Sequence, residues 1–188
     1  MTNSDFDDFV KRQQSEQQKE TTLDSTFDPK QQLEQWLGYL DALYRQITAY
    51  LQTYVESGAA QIEYRNITLN EDFIGDYTAR EMLLKFGRSS VTFEPIGTML
   101  IGTKGRVDVR GPIGSARLHL INKLVTNGRQ LVRVTIMRPG DPPPAPPLPE
   151  ALKQIEWVWK ISTPPPEMNF VELTQDVFFN MILSVANA

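Results

Sequence analysis

A chain of 188 residues with 40% hydrophobic and 10% aromatic side chains holds enough apolar surface for one packed domain, which excludes wholesale disorder. It carries 19 basic against 23 acidic residues, a formal charge of −4. With no cysteine and a single histidine, His119, disulfides, thiolate chemistry and histidine- or cysteine-rich metal centres within one chain are excluded.

Residues 1–26 are rich in glutamine and acid and poor in large apolar groups, so they read as a flexible polar tail. Phe6, Phe9 and Val10 stand at i, i+3, i+4, one face of a short helix. The tail shows no targeting pattern, and no apolar run approaches the ~20 residues of a spanning helix. The expected setting is cytoplasmic and off the membrane. Residues 27–188 then form a single domain.

Asp28 followed by Pro29 is a helix start, an acceptor cap with proline where its missing N–H does no harm. Leu33, Trp36, Leu40, Leu43, Ile47, Tyr50 and Tyr54 follow at alternating spacings of three and four, with Leu37, Tyr44 and Leu51 beside them. Ser57-Gly58 ends the run. The spacing predicts one helix over 29–57 that docks an apolar stripe on a sheet.

From Ala59 the period falls to two. Gln61–Leu69, Glu81–Phe86, Val91–Phe93, Thr98–Ile101, Arg106–Arg110, Ala116–Val125 and Arg129–Arg138 read as strands, with Glu81–Phe86 also open to a helical turn. Turns fall at 87–90, 103–104, 111–114 and 127–128; Asn127-Gly128 suits a type I′ hairpin. Residues 139–149 hold seven prolines and read as a polyproline spacer within the domain. Ile155, Trp157, Trp159 and Ile161 alternate as a further strand, and Asn169 with Glu172 forms a capping box for a last, largely apolar helix. The fold class is therefore α+β: an antiparallel meander of about five to seven strands packed with a long N-terminal helix and a buried C-terminal helix.

Registering the hairpins places Leu100, Val107, Leu118 and Met137 on one face of the sheet. The other face receives the row Ile101, Arg106, His119, Ile136 and, beside it, Met99, Asp108, Arg117, Arg138. Residues 104–138 hold eight basic residues against Asp108 alone, so this face is expected to be basic, whether open to an anion or neutralised internally. Arg106, Asp108, Arg110, Arg117, His119 and Arg138 are its candidate binding residues.

No phosphate loop, dinucleotide fingerprint or nucleophile elbow is present, and a lone strand histidine beside Asp108 is a thin acid–base site. The expectation is a non-enzymatic protein-binding or assembly component without a cofactor, engaging a protein partner or further copies of itself through the basic face or its apolar helices. Binding of an anion or a nucleic-acid backbone by the same face stands second, because no aromatic residue lies between Phe93 and Trp157 to stack on bases.

Overall fold

The computed structural model describes residues 28–98, 102–131, 155–164 and 168–186. The tail at 1–26, the spacer at 139–149 and Arg138 lie outside them. The chain divides into two compact units, Met1–Glu34 and Gln35–Ala188, and the candidate sites all belong to the second.

Helix α1 spans Pro29–Glu56. The Asp28 carboxylate accepts hydrogen bonds from the Lys30 and Gln31 amides at 2.9 and 3.3 Å, satisfying donors that the first turn leaves open. Gly58, at φ 75°, ends the helix in a left-handed conformation that glycine adopts without a Cβ penalty. Trp36, Leu40, Leu43, Tyr44, Ile47 and Leu51 are buried along one stripe, as their spacing requires.

A single antiparallel meander of seven strands follows in the order β1 to β7. These are β1 Gln61–Glu71, β2 Gly75–Phe86, β3 Ser89–Gly97, β4 Gly105–Arg110, β5 Ser115–Asn122, β6 Trp157–Ser162 and β7 Phe170–Glu172. The α+β class, the meander and both helices are present. A second helix, α2, covers Gln175–Ala186.

Three local readings are corrected. The first concerns β3, which runs on through Pro95 to Gly97, so the expected strand Val91–Phe93 is the middle of a longer one. The pairing with β4 shifts register between Pro95 and Gly97, and such an irregularity accommodates a proline that cannot donate to a ladder. Thr98 lies beyond the strand, and 99–101 lie outside the described residues.

The second correction concerns Asn127-Gly128. Asn127 is extended, at φ −145°, and Gly128 opens a one-turn 3-10 helix, Gly128–Gln130, held by the Gln130 side chain accepting from the Thr126 and Asn127 amides. Arg129 is in that turn, so no strand starts there, and 132–138 lie outside the described residues. The partner of β5 is β6 instead. Tertiary pairing with a strand distant in sequence overrides the local turn signal.

The third is the start of α2. Asn169 forms an isolated bridge with Asn127, and 170–172 is strand β7, which draws the chain onto the sheet through the Leu173 amide and the Trp159 carbonyl. Thr174 caps the helix instead, accepting from the Val177 and Phe178 amides.

The core lies between one face of the sheet and the two helices. Met82, Leu84, Phe93, Val107, Val109, Leu118 and Leu120 are buried there. Phe178 of α2 stacks near Phe93 at 6.3 Å and Tyr50 of α1 at 5.7 Å. Trp36 stands 6.1 Å from Trp159 and rests on Gly105, where a Cβ would lie 2.2 Å from its ring.

Candidate binding surfaces

Strands β4 and β5 pair as their alternation requires: Arg106 opposite His119, Val107 opposite Leu118, and Asp108 opposite Arg117. The loop at 111–114 closes the hairpin through the Gly111 amide and the Gly114 carbonyl. The outer neighbours differ from those expected. Met99, Ile101, Ile136 and Arg138 lie outside the described residues, and the rows are continued by β3 and β6. One row runs Glu94, Asp108, Arg117, Ser162, and the next runs Gly97, Arg106, His119, Lys160, Glu172.

The substitution of neighbours changes the electrostatics. β3 and β7 bring Glu94 and Glu172 onto the face that the sequence block made basic. Arg106 donates to both oxygens of Asp108, at 2.8 and 3.2 Å, in a forked, half-buried pair. Arg110 pairs with Glu94 at 2.9 Å. Among the described residues Arg117 alone of the candidate arginines has no ion-pair partner, and it is exposed.

Lys160, 4% exposed, sits beside His119 and donates to the carbonyls of Lys123 and Val125 at 2.6 and 2.8 Å. Flanked by Trp159 and Ile161, it reads from sequence as the solvent-side residue of an alternating strand. Only the loop folded over this face reveals its burial.

His119 is 8% exposed, with its ring edge-on to Phe170 at 5.6 Å and both ring nitrogens unpartnered. Asp108 is a neighbour, but its carboxylate faces Arg106 and not the imidazole. Burial pushes the His119 pKa down to about 4; Arg106 and Arg117 act in the same direction and Asp108 opposes them. The folded chain thus takes up a proton less readily than the unfolded chain, whose histidine titrates near pH ~6.5. Stability is complete above that value and falls as pH drops towards the folded pKa, by roughly 2–3 kcal/mol at pH ~4.5 from this residue. Urea titrations of wild type and His119→Leu at pH ~7.5 and ~4.5 isolate the effect, and the variant is expected to lose that share of the slope.

Two grooves lie elsewhere. One, of about 510 Å³, is apolar and sits where the end of α1 meets α2, between Leu51, Tyr54, Phe86, Phe179, Ile182 and Leu183. The other, of about 580 Å³, runs between α1 and the first two strands, and Asp41, Tyr44, Arg45, Tyr64 and Arg80 line it. Tyr44 donates to the Arg80 carbonyl at 2.6 Å, and burial pushes its phenol above the ordinary range. The Arg80 guanidinium binds Asp41 at 2.5 Å and lies over the Tyr64 ring, 5.3 Å from its centroid. The alternation of β1 exposes Tyr64, but only the docking of α1 joins it to Arg45.

No helix among the described residues is long and apolar enough to cross a membrane. Compared with protein-family models, curated proteins and solved structures, the chain matches none.

Proposed function

We propose that this chain is a non-enzymatic protein-binding module that receives its partner at strand β1. The observation carrying this reading is that β1, eleven residues long, forms one border of the sheet with no strand on its outer side among the described residues, directly beside the groove under α1. An unpaired ladder edge is a template for an extended segment of another protein. The opposite border, β7, is three residues long and offers little ladder.

The histidine contributes to the same reading, because a buried neutral imidazole without a hydrogen-bonded acid is poorly placed to exchange protons with a substrate. Pairing of Arg106 with Asp108 and of Arg110 with Glu94 weakens the case for an anion or nucleic-acid backbone on the β4–β5 face.

The test is site-specific cross-linking. Linear peptides are selected from a displayed random library on the full chain, and a photoreactive phenylalanine analogue is placed at Tyr64 or, separately, at Arg117. The expected result is cross-linking from position 64 and none from 117, with Arg117→Glu leaving affinity within about twofold. Cross-linking from 117 alone would return the site to the sheet face.

A further inference from the structure

We propose that the occupant of β1 is an acidic extended peptide, added as an eighth strand with a carboxylate side chain seated against Arg45 in the groove. This deepens the protein-binding reading and rests on it.

β1 presents an edge of about 37 Å at ~3.4 Å per residue. Its sequence, QIEYRNITLNE, contains no proline, glycine or lysine, residues that commonly blunt or break an edge. Its charged residues are all engaged: Glu63 with Lys85, Arg65 with Glu81, and Glu71 with Tyr77 and Thr98. Among the described residues nothing pairs with the ladder groups on the outer side, which suits them to an incoming strand.

Tyr64 lines the groove, so alternation sets Ile62, Asn66 and Thr68 on the same side of β1. Every second side chain of an added strand falls on that side too, over the groove. An extended backbone and a side-chain pocket then work together, the ladder giving affinity and the pocket selectivity.

Asp41 and Arg80 neutralise each other, and Arg80 is held further by the Tyr64 ring. Thr48 donates to the Tyr44 carbonyl and Gln52 to Glu56 within α1. Glu81, the acid acting most strongly on Tyr44, is paired with Arg65. Arg45, one turn beyond Asp41, is exposed and has no ion-pair partner among the described residues. The unbalanced group in the groove is the Arg45 guanidinium, which lines it together with the Tyr44 and Tyr64 rings, and its complement is a carboxylate on a strand that also carries an apolar residue.

The experiment uses the full chain and a displayed library of random linear peptides of about ten residues. Aspartate or glutamate is expected to be enriched at one position of the selected sequences. N-methylation of a selected peptide at one alternate set of residues is expected to weaken binding more than about tenfold, and at the other set much less. Arg45→Glu is expected to fold as wild type by circular dichroism and to exchange the acidic preference for lysine or arginine. Binding that needs the alternate amides but keeps its acidic preference in Arg45→Glu would overturn the assignment of Arg45 and leave the edge reading intact. Indifference to N-methylation, an absence of binders, or a dimer joined through β1 would overturn the peptide-strand proposal altogether.

Discussion

Trp36→Ala is expected to cost the fold about 4 kcal/mol, the middle of the range for removing a buried aromatic side chain. Trp36 is 1% exposed and joins α1 to the sheet at two points, the Trp159 ring and the bare backbone of Gly105. Trp159 in turn donates its indole N–H to the Tyr39 carbonyl of α1, so the pair ties helix and strand by packing and by hydrogen bonding. Gly105→Ala drives a methyl group into the Trp36 ring and is expected to cost about 3 kcal/mol by overpacking. The two effects share one space. In a Trp36→Ala background the added methyl has room, and Gly105→Ala is expected to cost less than ~1 kcal/mol, a coupling of about 2 kcal/mol. Urea denaturation of the four chains measures it; additive losses would show that glycine is needed at 105 for some reason other than Trp36.

Glu71→Ala is expected to cost about 3 kcal/mol. Glu71 ends β1 and is nearly buried, yet it is a charged residue in a hairpin. One carboxylate oxygen accepts from the Tyr77 hydroxyl at 2.5 Å, and the other from the Thr98 amide and hydroxyl at 2.9 and 2.8 Å. It thereby pins the tip of the β1–β2 hairpin to the end of β3. Burial and this hydrogen bond hold the Tyr77 phenol above its ordinary range. Alanine would strand those buried donors, and leaving such groups unsatisfied costs about 1–3 kcal/mol each, with partial relief by relaxation. Glu71→Gln keeps an acceptor and is expected to lose about half as much. Gly97 is part of the same construction: its φ of 134° suits glycine, and a Cβ there would lie 2.9 Å from the Glu71 carboxyl carbon. Equal losses for the alanine and glutamine variants in thermal melts would show that ionic character, and not hydrogen bonding, sets the effect.

The helices and the β4–β5 hairpin were legible because their signals are local and strong. Asp28-Pro29, the three–four spacing from Leu33 to Tyr54, and the alternation through Val107, Val109, Leu118 and Leu120 each need only neighbouring residues. What the alternation could not convey was which strand lies next. Asn127-Gly128 is a strong hairpin dipeptide, but here β5 joins β6 across a long excursion, a non-local pairing with no local signature. The same error carried into the site. With Arg138 as the supposed neighbour the face looked basic; β3 and β7 instead bring Glu94 and Glu172 onto it, and Glu94 pairs with Arg110. Arg45 and Tyr64 were equally hidden as a pair, since one reads as a solvent-facing helix residue and the other as an ordinary strand tyrosine. Their proximity follows from packing α1 against the sheet.

Recognition at the open edge of β1 is tested most directly by residue-resolved amide hydrogen exchange of the full chain, free and saturated with a peptide selected on it. An added strand bonds only the outward amides of β1, so exchange is expected to slow at every second residue of 61–71, with smaller slowing along the groove-facing turns of α1. Slowing confined to β4 and β5 or to α2, with β1 unchanged, would contradict it.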